Sequence, residues 1–263
     1  MQAEPINEAQ VRRAVEAQGF DWHYLAETGS TNADALAHQA RHGRDVIAFS
    51  EAQSAGRGRR GRQWLSPFAR NIYCTIGISK RIPAARQGLL SIVTGIALCR
   101  VLREATGLPL QLKWPNDLLY NGHKLGGILI ESRALCAGHY FFAVGYGLNL
   151  MMSDEDLASL DRPATSIGRQ LGETPDRSAL LVATLEAVIA AIRDFEVESV
   201  TQLIADFAGF DAYHDAVVEV ISGEQRISGI SRGIDASGQL RLETTQGIEL
   251  HSAAEISLRA GSR

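Results

Sequence analysis

Leu118-Leu119-Tyr120-Asn121-Gly122-His123-Lys124-Leu125-Gly126-Gly127-Ile128-Leu129-Ile130 holds two apolar runs separated by Asn-Gly. That dipeptide accepts the left-handed backbone of a two-residue turn, so the stretch predicts a β-hairpin. Just upstream, Leu110–Trp114 is extended, and Pro115 fixes a turn that carries Asn116 and Asp117. Downstream, His139 to Leu148 predicts a further strand. Strands joined by tight turns pair antiparallel, so this part of the sheet is expected to be mostly antiparallel. Further out, Asp21–Glu27, Val46–Glu51 and Ile72–Ile78 also read as strands.

Helices are expected between these strands. Gln87 to Thr106 is the clearest, with Leu89, Val93, Ile96 and Leu98 on its apolar side and Gly107 and Pro109 to stop it. Asp176–Phe195 carries Leu181, Leu185, Val188 and Ile192 at helical spacing, and Ser199–Phe207 follows. Near the start, residues 6–18 predict a short helix through Ile6, Val11 and Val15. Thr28-Gly29-Ser30-Thr31-Asn32 is a turn opening another helix, with Ser30 or Thr31 as N-cap and Asp34 completing a weak capping box. After Tyr213 the character changes. Short strands at 217–220, 225–230, 239–243 and 247–251, punctuated by Gly223, Gly233, Gly238 and Gly247, predict a small all-β barrel. The fold class is therefore α+β: a mixed, largely antiparallel sheet with packed helices, plus a small C-terminal barrel. The boundaries are an N-terminal helical extension at 1–20, a main domain at 21–212 and the barrel at 213–263.

Length and composition narrow the function. At 263 residues the chain fits one or two domains of about 100–200 residues. Its 26 Lys and Arg against 30 Asp and Glu give a net charge of −4, which excludes a generally basic nucleic-acid binder. The longest apolar candidate, Leu89–Cys99, is too short and too interrupted to span a bilayer. The N-terminus lacks a charged-then-apolar signal pattern. Cys74, Cys99 and Cys136 stand singly, with no metal-ligand spacing and no disulfide framework, so the cytoplasm is the expected compartment.

Against that acidic background, Gly56-Arg57-Gly58-Arg59-Arg60-Gly61-Arg62-Gln63-Trp64 stands out. Glycines let a backbone approach a ligand, and arginines supply planar, permanently charged donors for carboxylate or phosphate. The loop reads as a site for a small anion; a solvated flexible loop or an RNA contact is the alternative. Lys113-Trp114-Pro115-Asn116-Asp117 offers an amide for a ligand and a carboxylate for a divalent cation, with Lys124 on the returning strand. An ordinary hairpin turn is the competing reading of that segment. Gly145-Tyr146-Gly147-Leu148-Asn149 ends a strand with glycines and an amide.

Together these segments, in this order, resemble the biotin protein ligase family. The similarity runs over about residues 21–260 and includes Gly229-Ile230-Ser231-Arg232-Gly233-Ile234-Asp235 and Glu255-Ile256-Ser257-Leu258-Arg259, which look like that family's C-terminal SH3-like domain. The resemblance implies the catalytic fold shared with class II aminoacyl-tRNA synthetases and lipoyl ligases. It implies an ATP-dependent enzyme that activates biotin as biotinoyl-5′-AMP, then transfers it to a lysine of a biotin carboxyl carrier domain. By the same resemblance, biotin would meet Ser30, Thr31, Asn32, Gln53, Arg57, Gly58, Arg59, Lys124 and Gly126. ATP and the adenylate would meet Arg59, Arg62, Trp64, Asn116, Lys124 and Asn149. Lys124 and Arg59 would be catalytic, and Asp117 would neighbour Mg²⁺, which arrives mainly through ATP. The implied partners are biotin, ATP and the carrier domain of a carboxylase, with the protein a monomer or weak homodimer and no membrane partner. Only about 20 residues precede the first strand, too few for the winged helix of repressor members, so a ligase-only form without specific DNA binding is expected. A lipoate–protein ligase on the same fold and a non-catalytic biotin-binding module are the rival functions. The Arg-Gly loop and the C-terminal tail favour biotin over lipoate; Lys124, Asn116 and four loop arginines favour catalysis over passive binding.

Overall fold

The computed structural model describes residues 4–260 apart from 137, 174, 197, 198, 223 and 254–256. Gly223, Glu255 and Ile256, quoted above, lie outside the described residues. Asn121 and Gly122 turn the chain as their chemistry suggests, with φ of 47° and 77°, both left-handed. They join β5 (Asp117–Tyr120) to β6 (His123–Ala134), which pair antiparallel.

The remaining elements of the larger layer run in chain order. They are α1 (Glu8–Ala17), β1 (Asp21–Thr28), α2 (Thr31–His42), β2 (Val46–Gln53), β3 (Ile72–Arg81), α3 (Leu89–Thr106), β4 (Gln111–Lys113) and, after the hairpin, β7 (His139–Leu148). Helices α4 (Asp154–Ala158), α5 (Ile167–Leu171), α6 (Arg177–Asp194) and α7 (Val200–Ala208) follow. The seven strands make one sheet in the order β1-β2-β3-β7-β6-β5-β4. Every neighbouring pair is antiparallel except β1 and β2, which are parallel and joined through α2.

Strand alternation gives the sheet two different faces. Ile47, Phe49, Ile76, Cys74, Val144 and Tyr146 face the main core with α1, α3 and α6. Val46, Ala48, Phe141 and Ala143 face the other way, against Ala35 and Leu36 of α2. Helix α3 is the one described helix long and apolar enough to cross a membrane, and it is mostly buried in this core. The expected extension at 1–20 is tied into the same core. Ile6 donates its N–H to Glu51 Oε1 at 2.8 Å, and the other Glu51 oxygen accepts from Arg177 Nη2 at 2.6 Å, both side chains being almost fully buried.

Three local expectations change. Ser30 is the N-cap of α2, but its side chain makes no capping bond, and Asp34 instead accepts from Thr28 Oγ1 at 2.7 Å, so no capping box forms there. The long helix starts at Leu89, because Ala84–Arg86 forms a separate 3₁₀ turn. Helices α4 and α5 were not anticipated; five residues are too few to display a 3.6-residue period.

The C-terminal strands β8 (Val217–Ser222), β9 (Gln225–Ile234), β10 (Leu240–Thr244), β11 (Gly247–His251) and β12 (Ser257–Ala260) form a second, antiparallel sheet. Its order is β11-β10-β9-β8-β12, so β11 and β12 end the ladder and no pairing between them closes it into a barrel among the described residues. This sheet abuts the larger one. Trp114 Nε1 donates to the carbonyl of Gly238, in the turn between β9 and β10, at 2.9 Å.

Candidate active site

Helix α2 begins only at Thr31, so it covers the Phe141 and Ala143 end of the sheet and leaves the continuation of that face bare. The register places Thr75 opposite Gly145, Tyr73 opposite Gly147, and Gly127 opposite Gly147 on the far side. Tyr73, Gly127, Gly145 and Gly147, beyond the N-terminus of α2, floor a cavity of about 560 Å³, with Thr75 buried behind them. The Arg57–Gln63 loop, the Trp114–Asp117 turn, Lys124, residues 160–164 and Tyr213 wall it.

The floor must be glycine. A Cβ on Gly145 would lie 2.1 Å from Asn32 Oδ1, and one on Gly147 would lie 2.5 Å from the Trp64 indole. Close approach of these two side chains to the sheet therefore sets the depth of the cavity.

One end of the cavity is neutral and polar. Thr31 donates its backbone N–H to Gln53 Oε1 at 3.0 Å, and Gln53 Nε2 donates to Ser66 Oγ at 3.2 Å. Thr75, fully buried, places its hydroxyl 2.8 Å from Thr31 Oγ1 and 2.7 Å from Asn32 Oδ1. Asn32 Nδ2 donates to the Leu129 carbonyl at 3.2 Å and to Glu131 Oε2 at 2.8 Å. The same Glu131 oxygen accepts from Arg57 Nη2 at 3.1 Å, which joins this end to the arginine loop.

The other end is cationic. Arg57, Arg59, Arg60, Arg62, Arg162, Lys113 and Lys124 line the cavity, against Asp117 and Asp161. In a chain of net charge −4, such convergence marks an anion site. Lys124 Nζ lies 2.5 Å from Asp117 Oδ1, with the two side chains 15% and 14% exposed. Its ammonium also sits 5.2 Å from the centre of the Trp64 ring. Burial pulls the Lys124 pKa down from its ordinary value, while the Asp117 carboxylate opposes that fall. The backbone of Lys124 is clamped too: its N–H donates to the Pro163 carbonyl at 3.0 Å, and its own carbonyl accepts from Thr165 N–H at 2.9 Å. Arg59 donates from Nη1 to Asn116 Oδ1 at 3.2 Å and from Nη2 to the Ala253 carbonyl, so it ties the loop to both the turn and the C-terminal sheet. The loop itself is a small closed turn, with Gly58 N–H donating to the Arg62 carbonyl at 2.7 Å.

Ser30, Thr31, Asn32, Gln53, Arg57, Gly58, Arg59, Arg62, Trp64, Asn116, Asp117, Lys124 and Asn149 all line this one cavity. Gly126 does not. The pleat turns it the other way, where a Cβ would meet Leu148 and the Gly147 carbonyl at 2.8 and 2.9 Å, and its neighbour Gly127 faces the cavity instead. Asn149 is buried and donates from Nδ2 to the Thr165 carbonyl at 3.1 Å. Thr75, Glu131, Arg162 and Tyr213 were not foreseen. Thr75 was detectable as a hydroxyl inside an otherwise apolar strand, sharing a face with Tyr73.

Residues 25–149 match the biotin/lipoate A/B protein ligase family, and residues 217–259 match the biotin protein ligase C terminal domain. The chain is 34% identical over 266 residues to the biotin–[acetyl-CoA-carboxylase] ligase of Mycobacterium tuberculosis, covering 96% of this chain and 95% of that one. It is 36% identical over 212 residues to the bifunctional ligase/repressor BirA of Salmonella typhimurium, covering 80% of this chain and 66% of the relative. The chain thus spans about two thirds of that relative's length. Among solved structures, the biotin protein ligase of Aquifex aeolicus in complex with biotin and ATP superposes with a TM-score of 0.76 at 26% identity, over 92% of this chain and 99% of that one.

Proposed function

The chain belongs to the biotin protein ligase family, and on that premise we infer that it is a biotin–[acetyl-CoA-carboxylase] ligase working through the cavity described above. The observation that carries this reading is the placement of Lys124. It lies beside Asp117 and the Trp64 ring, among the loop arginines at the cationic end suited to carboxylate and phosphates, in the same cavity whose other end is neutral, hydrogen-bonding and suited to a cyclic urea.

In the first step the biotin carboxylate attacks the α-phosphorus of ATP, a P–O bond to pyrophosphate breaks, and biotinoyl-5′-AMP forms. In the second, the ε-amine of a carrier lysine attacks the acyl carbon of that mixed anhydride; AMP leaves, and the amine's proton passes to solvent. The substrate supplies its own nucleophile, so the protein has to position and neutralise charge rather than provide a Ser-His or Cys-His pair. Lys124 does both: its ammonium aligns the attacking carboxylate and stabilises charge building on the α-phosphate. Arg57, Gly58 and Arg59 close over the carboxylate and adenylate. Arg62, Asn116 and Asn149 serve the triphosphate, and Trp64 covers the join between the two substrates.

Magnesium fits this reading as the ion that ATP carries. No set of three or more His, Cys, Asp and Glu converges among the described residues. One carboxylate, Asp117, lies beside Lys124, and magnesium with phosphate ligands needs only one or two from protein. We place the catalytic domain at 21–212 and the SH3-like domain at 213–263, in a cytoplasmic enzyme whose acceptor is a carboxyl carrier domain.

ATP–pyrophosphate exchange measured with biotin and with lipoate tests the reading directly. Biotin-dependent exchange, followed by label transfer to a purified carrier domain, is the expected result. Exchange stimulated only by lipoate would overturn it.

A further inference from the structure

We propose that Glu131, which stands behind the ligand cavity, is a positioning residue that sets the polarity of the hydrogen-bond chain lining its neutral end. The proposal rests on the ligase reading and names what that end selects: a ring bearing N–H donors.

The count of protons along this chain fixes its polarity. Asn32 Nδ2 has two hydrogens, and both go to groups that can only accept, the Leu129 carbonyl at 3.2 Å and the Glu131 carboxylate at 2.8 Å. Of the two, the carboxylate is the nearer and the charged one, so it dominates the choice of amide orientation. With Nδ2 so committed, Asn32 Oδ1 can only accept. The Thr75 hydroxyl, 2.7 Å away, must therefore spend its single proton on Asn32. Thr31 Oγ1 then has two acceptors for its one proton, Thr75 Oγ1 at 2.8 Å and Gln53 Oε1 at 3.4 Å, and receives none from either. The donors are then exhausted. Thr31 Oγ1 and Asn32 Oδ1 both present lone pairs, and both residues line the cavity.

An end lined by two fixed acceptors suits a ligand ring with two N–H groups, as a cyclic urea has. It offers nothing to a dithiolane ring, which has none. Discrimination of this kind is strong because an unmatched buried acceptor loses its partner outright. Arg57 Nη2 donates to the same Glu131 oxygen at 3.1 Å and holds the carboxylate over Asn32. Glu131 touches no substrate in this scheme; it acts through Asn32.

Glu131→Gln keeps the size of the side chain but removes its charge and its acceptor-only character. The Asn32 amide and the two threonine hydroxyls can then adopt either polarity. Biotin-dependent pyrophosphate exchange is measured for native protein, Glu131→Gln and Glu131→Ala, with biotin and with biotin analogues N-methylated on either urea nitrogen. In Glu131→Gln, KM for biotin should rise about tenfold, the scale of one charged hydrogen bond, with kcat within about twofold. N-methylation should weaken binding to the native protein strongly and to the variant much less. A residue that merely supports the sheet would lower the melting temperature and leave that methylation ratio unchanged, and this result would overturn the proposal. If Glu131→Ala does not survive purification, the Glu131→Gln ratio decides alone. Absence of biotin-dependent exchange in the native protein would instead sink the ligase reading, which the variants cannot do.

Discussion

Replacing Lys124 by Met tests both the chemistry and the electrostatics of the site. The substitution keeps most of the side chain's bulk and removes its charge. Two consequences follow, and the structure separates them. The first is catalytic. Losing a charge-assisted contact made at the transition state costs about 2.7–4 kcal/mol, or about 10²–10³ in rate. Adenylation, read as pyrophosphate exchange at saturating biotin and ATP, should fall by at least that factor.

The second consequence concerns stability. Asp117 Oδ1 lies 2.5 Å from Lys124 Nζ, and the Asp117 side chain is only 14% exposed. Removing one member of a fully buried ion pair costs about 3–5 kcal/mol, because the other charge stays behind. Water reaches part of this pair, so about 2 kcal/mol is the expected loss. At about 2–4 °C per kcal/mol for a protein near this size, the melting temperature should fall by about 4–8 °C. Adding Asp117→Asn removes the stranded carboxylate. The double variant Lys124→Met/Asp117→Asn should regain most of the melting temperature and none of the exchange rate. Exchange within about threefold of native in the folded single variant would refute the role given to Lys124. Recovery of exchange in the double variant would show that the lost activity came from the stranded Asp117 charge.

Arg59→Gly should release the loop from both Asn116 and the Ala253 carbonyl; the adenylate off-rate, followed by rapid filtration, should rise, and added bystander protein should become biotinylated. Gly147→Ala would push a methyl group to 2.5 Å from the Trp64 indole, so exchange should drop while the circular dichroism spectrum stays native and tryptophan emission shifts. Asp211 is a pH test of the junction between the two sheets. It is 8% exposed, Oδ1 accepts from Tyr213 N–H at 3.0 Å, and Oδ2 has no partner among the described residues. Burial pushes its pKa up to about 6, from 3.8. The native state therefore holds the extra proton between those values, and this residue's effect on stability worsens as pH rises from about 4 through 6. Asp211→Asn should raise the melting temperature at pH 7.5, by the equivalent of about 1–3 kcal/mol, and leave it almost unchanged at pH 4; an equal shift at both values would show that Asp211 does not titrate as described.

The parts of this protein that the sequence discloses are those where local chemistry and final structure agree. Asn121-Gly122 makes a tight turn whatever surrounds it, and the 18 residues of α3 are long enough to show their period. Four arginines within a few glycines can hardly be buried among apolar groups, so the loop at 57–62 stands out in the sequence, and its order beside the other motifs favours an anion site over a solvated loop. Where the two levels diverge, the sequence is mute. Helices α4 and α5 have five residues each, yet they help to set residues 160–164, which wall the cavity and clamp the Lys124 backbone. Gly126 and Gly127 are indistinguishable as letters; only the register against β7 decides which one faces the ligand.

The same divergence explains why Thr75 and Glu131 carry no signal in the sequence. Each sits in a strand whose other residues report burial and pairing, and neither belongs to a run with a signature. Their importance comes from contacts across 43 residues, Thr75 to Asn32, and 99 residues, Asn32 to Glu131. Those contacts exist only because α2 begins at Thr31, short of the end of the sheet face it covers. A helix that began one turn earlier would put side chains over Gly145 and Gly147 and fill the cavity, while a later start would carry Asn32 off the sheet. The position of one helix N-terminus thus converts a bare strip of glycines into a binding floor, and it delivers Thr31 and Asn32 to the polar residues behind them. Recognition at the neutral end is a property of that register rather than of any motif. Substitutions at Thr75 or Glu131 should therefore change which ring is accepted more readily than they change whether adenylation occurs.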